Sequence, residues 1–370
     1  VAETALTGKG TEAAIDIFAP MVRDALTAVE QNVDQAGAEH IAMYKMAKGG
    51  LRDSHLIRGI AIRRRVQMDN FPNNLKNAKT AVLGGDIKIR KMTRNAEIQI
   101  TSAEQLDDFV EAESARKQEL AQSLIDSGAS LILAGGEIDR DILHDLADAG
   151  ILTVSDLDES ELDNAAAATG ATIIDSIIDV EPRDLGVAGS VQWERRQATD
   201  QVEDVIIIDD CKNPAAVTLA IGGAGDTATE EIIRGLHDAL RATSIALEEG
   251  QLLAGGGATH ARIANAVRKA SESEPGRARL AMDAFARAME TVPATLADNS
   301  GKDSLDTVLE MRAAAREDSD IPQGVRADGE VGEVSGVWHP RAVIEDGLES
   351  SVETAMSMLR IDQVISARGD

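Results

Sequence analysis

The chain of 370 residues is long enough for two or three domains, each with its own buried core. Its 64 acidic and 37 basic residues give a formal net charge of −27, which opposes binding to nucleic acid and to anionic membranes. A single cysteine, Cys211, excludes an intrachain disulfide and a cysteine-rich metal site. Because the sequence has neither an apolar run of membrane-spanning length nor a signal sequence, we expect a cytoplasmic protein.

The composition is typical of proteins adapted to high salt. Aromatic residues make up 2% of the chain, and only 11 of the 37 basic residues are lysine. Dissolved salt screens the repulsion among surface carboxylates, so a strongly acidic surface is tolerated where salt is concentrated. We therefore hypothesise a halophilic protein, with an acidic protein of ordinary salt tolerance as the alternative.

The first 50 residues have helical periodicity, which ends at the pair Gly49-Gly50. The period then changes, and residues 56–62 and 80–83 are predicted to be strands. The change of period indicates that a new domain begins near residue 58.

Residues 96–100 predict another strand, which leads into a helix. Ser102 and Gln105 have the spacing of a capping box, and the helix is expected to run to about residue 127. Its apolar positions leave a mostly charged gap from Glu111 to Glu119. Such a helix is expected to project from the domain, with a helix lying on a sheet as the alternative.

From residue 129 onward, apolar runs alternate with helical patterns. This alternation predicts an α/β layer with buried, parallel strands. Beyond residue 225 the signal is almost entirely helical, so the order helical, α/β, helical suggests one domain inserted into another. The predicted strands are 129–134, 151–154, 171–174 and 205–208, and the predicted helices are 139–149, 159–168 and 343–365.

Four motifs in this order resemble those of the group II chaperonins, the thermosome family of archaea. The resemblance extends over the whole chain, and the motifs are specific only together. They are Leu6-Thr7-Gly8-Lys9-Gly10, Cys211-Lys212-Asn213-Pro214-Ala215-Ala216-Val217, the helix at residues 229–240 with the glycine run Gly255-Gly256-Gly257-Ala258, and Leu359-Arg360-Ile361-Asp362-Gln363-Val364-Ile365.

The resemblance implies a multidomain α+β fold in which an α/β apical domain, bearing a helical protrusion, is inserted into mainly helical intermediate and equatorial segments. The implied intermediate segments are residues 1–57 and 210–244. The apical, substrate-binding domain is residues 58–209, with its protrusion near 101–127, and the C-terminal half of the equatorial ATPase domain is residues 245–370.

The resemblance also implies an ATPase that uses ATP and Mg²⁺. Asp238 matches the family's catalytic carboxylate, which is carried on a hinge and positions the attacking water. Gly255 and Gly256 match glycines whose backbone approaches the ribose and base. His339 stands where the family has an acidic ribose ligand, and a neutral imidazole accepts only one hydrogen bond where a carboxylate accepts two. His260 replaces a residue that is usually Glu, and its spacing from the other histidines does not indicate a metal site.

The family's Gly-Asp-Gly-Thr-Thr phosphate loop occurs nowhere in the sequence. Because that loop lies upstream in the family, we expect this chain to be a piece of a longer one, inactive alone. The implied partners are non-native proteins and identical or paralogous subunits in a stacked double ring. Two alternatives stay open: a non-catalytic assembly subunit of a mixed ring, and a metabolic enzyme, although the Gly-x-Gly-x-x-Gly fingerprint of a dinucleotide site is missing.

Overall fold

The computed structural model describes residues 1–89, 103–177, 180–197, 202–223, 225–316 and 321–361. The chain divides into two compact units, one made of Val1–Glu12 with His237–Asp370 and the other of Ala13–Leu236. Helix and sheet are mixed in both units, so the fold is multidomain α+β, as predicted. Among the described residues, no helix combines the length and the apolar character needed to cross a membrane.

The helices and strands alternate through the middle of the chain and become mainly helical toward its end. The helices are α1 (Ala2–Leu6), α2 (Ile15–Glu30), α3 (Ala103–Asp126), α4 (Arg140–Asp148), α5 (Glu159–Thr169), α6 (Asp226–Glu249), α7 (Ala258–Ser271), α8 (Arg277–Asn299), α9 (Ser304–Ala314) and α10 (Arg341–Leu359). The strands are β1 (Ile41–Lys45), β2 (His55–Ile57), β3 (Ile60–Arg63), β4 (Asn74–Leu83), β5 (Leu131–Ala134), β6 (Leu152–Val154), β7 (Ile173–Ile174), β8 (Gly186–Gln197), β9 (Val202–Asp209), β10 (Val217–Ile221), β11 (Leu252–Ala254), β12 (Gln323–Val325), β13 (Val331–Glu333) and β14 (Trp338–Pro340).

The largest sheet lies in the Ala13–Leu236 unit, with strand order β3-β9-β8-β4-β5-β6, and β7 also pairs with β4. β4, β5 and β6 are parallel, and the apolar runs of β5 and β6 are buried at every position. A strand buried on both faces needs such a continuous apolar run, because helices cover the sheet. The α/β layer predicted from the alternating pattern is therefore confirmed.

The helices of this layer begin where the sequence predicts. Asp139 caps α4 by accepting a hydrogen bond from the backbone N–H of Asp141 at 3.0 Å. Asp158 and Glu161 form a reciprocal capping box at the start of α5. Side chains at these positions satisfy backbone donors that would otherwise have no partner.

The single strand predicted at 56–62 is wrong, because the structure divides this stretch between two sheets. β2 joins a three-stranded sheet of order β1-β10-β2, whereas β3 is an outer strand of the large sheet. Gly59 lies between them, where a Cβ atom would come within 2.1 Å of the carbonyl oxygen of Ile208. Only glycine fits at this position, because any other residue would carry a Cβ atom.

The helical prediction for the first 50 residues is wrong at β1. This strand pairs in parallel with β10, so Ile41 lies opposite Val217 and Lys45 opposite Ile221. Its stability comes from a partner far along the chain, which local periodicity does not reveal.

The predicted projecting helix is α3, whereas the strand at 96–100 and Ser102 of the predicted capping box lie outside the described residues. Phe109 and Val110 are 45% and 56% exposed, while Leu120 and Leu124 near the other end are buried. Lys117 joins α3 to the start of α4, because its Nζ lies 3.1 Å from Asp139 and 2.9 Å from Asp141. The exposed half of α3 is thus attached to the sheet layer through its C-terminal half.

Three consecutive arginines lie at and directly after the end of β3, an outer strand of the large sheet. The Arg63 guanidinium stacks over the ring of Tyr44, 5.0 Å from its centroid. Arg64 pairs with Asp158 at 3.2 Å and with Glu161 at 2.6 Å. Arg65 is exposed. Charged residues at the edge of a sheet hinder the addition of another strand.

In the unit of Val1–Glu12 and His237–Asp370, α7, α8 and α9 pack around small residues and one buried carboxylate. Ala264 of α7 and Ala286 of α8 are fully buried, which lets the two helices approach closely. Glu290 of α8 is 5% exposed and accepts hydrogen bonds from Arg268 of α7 and Arg312 of α9. We call these three residues the Glu290 triad. It connects three helices through one carboxylate.

Candidate functional site

An open cavity of about 290 Å³ lies within the unit of Val1–Glu12 and His237–Asp370. Its walls come from α1 and the loop after it, from α6, and from β14 and the start of α10. Lys9, Asp238, Arg241, Trp338 and His339 line it. Three separate segments of the sequence therefore contribute polar or aromatic side chains to one cleft.

Asp238 is held in this cavity by an ion pair with Lys9. The Lys9 Nζ lies 2.5 Å from Asp238 Oδ2, although the two residues are 229 positions apart in the chain. Gly8, with φ of 75°, turns the loop that presents Lys9. The Asp238 side chain stays 56% exposed, so its second oxygen remains open to the cavity.

The side chain of Asp238 faces outward because α6 buries a different face. Ile232, Leu236, Ala239 and Leu240 are buried at helical spacing. Arg241 lies three residues after Asp238, which places it on the same side of the helix one turn further on. α6 thus presents a carboxylate and a guanidinium together.

The glycine run connects β11 to α7 with close packing at each position. The Gly255 N–H donates to the Val337 carbonyl at 2.8 Å, and a Cβ on Gly255 would lie 3.1 Å from His339 Nε2. Gly256 has φ of 60°, and its Cβ would come within 2.8 Å of the carbonyl oxygen of Val325. Gly257 has φ of 75° and begins α7. Both the left-handed backbone and the close contacts require glycine.

His339 lies on β14, directly opposite Leu253 of β11. Burial lowers the pKa of the His339 imidazole. Burial, followed by the charge of His339, also lowers the pKa of His260. Both rings are therefore neutral at pH 7, and each offers one hydrogen-bond donor and one acceptor.

The structure brings together most of the residues selected from the sequence. Asp238 and His339 line the same cavity, and Gly255 packs against the His339 ring. Gly256 contacts Val325. Sequence reasoning missed Arg241, although its spacing from Asp238 was a usable signal, and it did not select Trp338. Within the described ranges, no cluster of three or more His, Cys, Asp or Glu side chains is arranged to hold a metal ion.

The sequence profile of the TCP-1/cpn60 chaperonin family matches residues 1–369. The chain belongs to this chaperonin family. It is 36% identical over 369 residues to thermosome subunit beta of Methanothermobacter thermautotrophicus, a match that covers 99% of the chain and 68% of that protein. It is 37% identical over 374 residues to the thermosome subunit of Methanopyrus kandleri, covering 100% of the chain and 68% of that protein. Thermosome subunit 1 of Haloferax volcanii is 33% identical over 370 residues, with 99% and 65% covered.

A solved structure has the same fold. The open-state monomer of a group II chaperonin from Methanococcoides burtonii superimposes with a TM-score of 0.61 and 26% identity, covering 98% of this chain and 84% of that one. The chain is thus a chaperone subunit of the group II type, and the resemblance identified from the four motifs is confirmed. The matches to thermosome subunits along its whole length do not favour the alternative of a non-catalytic assembly subunit.

Proposed function

We propose that this chaperonin subunit takes part in ATP hydrolysis at the cavity containing Asp238, with Mg²⁺ as the metal cofactor. The observation that carries the proposal is the Lys9–Asp238 pair. It places a carboxylate and an ammonium 2.5 Å apart at the wall of an open cavity, both partly exposed to solvent. An ammonium is a strong point charge for phosphate oxygens, and a carboxylate can orient a water molecule or accept its proton.

The ion pair also suggests a separate role for each residue, phosphate binding by Lys9 and water positioning by Asp238. While Lys9 is bound to Asp238 Oδ2, the carboxylate is partly neutralised. An anionic phosphate that competes for the Lys9 ammonium would release Oδ2 to hold a water molecule. Phosphoryl transfer depends mainly on positioning and electrostatics, so moving one oxygen into place is a sufficient role for Asp238. Mg²⁺ supplies charge neutralisation on the phosphate oxygens when it is bound.

Gly255, Gly256 and His339 form the proposed ribose side of the site. The neutral His339 ring packs against Gly255, and a ring nitrogen can make one hydrogen bond to a sugar hydroxyl. A carboxylate at this position would accept hydrogen bonds from two hydroxyls. We therefore expect weaker ribose binding here than in a chaperonin with an acidic residue at this position.

We further propose that the chain is organised like other group II subunits. In this proposal residues 1–57 and 210–244 are intermediate segments, 58–209 the apical domain, and 245–370 the C-terminal half of the equatorial domain. The proposed protrusion, near 101–127, includes the exposed Phe109 and Val110 of α3. Exposed apolar side chains of this kind suit contact with the apolar surface of non-native proteins or of neighbouring subunits.

The proposed partners are non-native proteins and identical or paralogous subunits in a cytoplasmic double ring. The test uses rings that contain this chain and a chemically denatured reporter enzyme. With Mg²⁺-ATP, the rings should restore reporter activity and shield the reporter from an added protease, because closure encloses the client. A non-hydrolysable ATP analogue should not sustain repeated rounds of refolding. Equal refolding with and without nucleotide would contradict the proposed function.

Adaptation to high salt makes a separate prediction about stability. The chain carries a net charge of −27, and one relative is a Haloferax volcanii subunit. Removal of molar salt should lower the thermal unfolding midpoint by ten degrees or more, on the order expected for losing a few kcal/mol. The control replaces NaCl by sucrose of matched osmolality, which does not screen charge. An unfolding midpoint that stays constant between molar and low salt would exclude the halophilic assignment.

A further inference from the structure

Arg241 is a cation of the cavity that no feature of the fold requires. It lies on α6 one turn beyond Asp238, lines the same cavity and is exposed. Among the described residues, its guanidinium has no acidic partner and no hydrogen bond. Exposed arginines are often unpaired, so the position of Arg241 in the cavity is what calls for an explanation.

The charged groups around Arg241 do not neutralise its positive charge. Asp238 is the nearest acid along this face of α6, but its Oδ2 is bound to the Lys9 ammonium at 2.5 Å. The His339 ring, which also lines the cavity, is neutral because burial lowers its pKa. Among the side chains that line the cavity, the charges of Lys9 and Asp238 sum to zero, so Arg241 leaves a net positive side-chain charge. In a chain with a net charge of −27, that local charge favours an anionic ligand over a neutral one.

We propose that Arg241 binds phosphate oxygens of the nucleotide and is a second phosphate-binding cation beside Lys9. This inference rests on the proposed function, since the nucleotide is the ligand assigned to the cavity. A guanidinium presents a planar fork of N–H donors that matches two oxygens of one phosphate group. Lys9 offers a single ammonium and must first leave Asp238. Arg241 can make its contacts while the ion pair is still intact, so it would bind the phosphate before Asp238 is released.

The test measures the equilibrium affinity of assembled rings for ATP, ADP and adenosine at one fixed salt concentration. Arg241→Gln should weaken ATP and ADP binding by about tenfold or more, because a charge-assisted hydrogen bond is lost. Adenosine binding should be unchanged. Arg241→Lys should restore part of the affinity, since it keeps the charge and loses the fork. The matched control is Arg279→Gln, which removes the same charge from an exposed position on α8 that does not line the cavity.

The outcomes separate this inference from the proposed function. If unmodified rings fail to bind ATP, the proposed function is wrong and the role of Arg241 falls with it. If they bind ATP and the Arg241→Gln rings bind it equally well, only the role of Arg241 is overturned. An equal loss of adenosine and ATP affinity would also overturn it, because the residue would then act on the shape of the cavity. A loss equal to that of Arg279→Gln would assign the effect to net charge.

Discussion

Replacement of Asp238 by asparagine is expected to lower the ATP turnover of assembled rings by about a hundredfold or more, the range typical for loss of a general base. The amide keeps the size of the side chain but accepts a proton poorly. Nucleotide affinity should be retained or increased, because Lys9 loses its carboxylate partner and its ammonium becomes free for phosphate. Steady-state kinetics should therefore show a fall in kcat with KM unchanged or lower.

Two comparisons make this prediction specific to Asp238. Asp346→Asn removes the same charge from an exposed position on α10 and should leave both constants unchanged. Lys9→Gln should instead raise KM, because one phosphate-binding cation is lost. Turnover by Asp238→Asn rings equal to that of unmodified rings would show that another group activates the water.

The second large effect is expected at the Glu290 triad. Glu290→Gln should reduce the free energy of unfolding of its unit by about 3–5 kcal/mol, because the change leaves two arginines beside a neutral amide in a partly buried site. The chain has two tryptophans. Replacing Trp193 by phenylalanine leaves Trp338 as the single tryptophan, which can be excited selectively over Tyr44, and Trp338 lies in the same unit as Glu290. Urea unfolding followed through Trp338 then reports on this unit.

A control and a pH series complete the test. Glu310→Gln makes the same substitution at an exposed position of α9 and should change the unfolding free energy by less than about 0.5 kcal/mol. Burial by itself would raise the pKa of the Glu290 carboxyl, but hydrogen bonds from Arg312 and Arg268 outweigh it and lower the pKa. A lowered pKa in the folded state stabilises the fold above the unfolded pKa, and this stability is lost as the pH falls through the folded value. Below about pH 4, the free energy of unfolding of the unmodified protein should therefore approach that of Glu290→Gln. A difference in unfolding free energy that stays constant down to pH 2 would contradict the role of the triad.

The sequence predicted best those elements whose stability is local or whose pattern is strong. β5 and β6 are runs of apolar residues, and α4 and α5 carry their own caps. β1 was missed because its partner, β10, lies far along the chain, and β11–β14 were missed because three residues are too few to establish a period.

The candidate site was predicted from motifs and not from spacing. Asp238 and His339 were selected by resemblance, and the structure places them in one cavity. The Lys9–Asp238 contact joins two motifs that are 229 residues apart, and no local pattern indicates that they meet. Arg241 escaped notice because it belongs to no motif. The Glu290 triad escaped because its three members lie on three helices, and only their packing brings them together.

The arginines at the edge of β3 have a consequence for a protein that handles unfolded chains. An unfolded client offers long extended segments with free N–H and C=O groups, and an open sheet edge is a template for such segments. A client segment that paired with β3 would be held by backbone hydrogen bonds, which do not depend on its sequence, and it would dissociate slowly. Arg63 and Arg64 are held at this edge by contacts with Tyr44, Asp158 and Glu161. Charged side chains fixed at the end of β3 thereby hinder the pairing of an extended client segment with the outer strand of the large sheet.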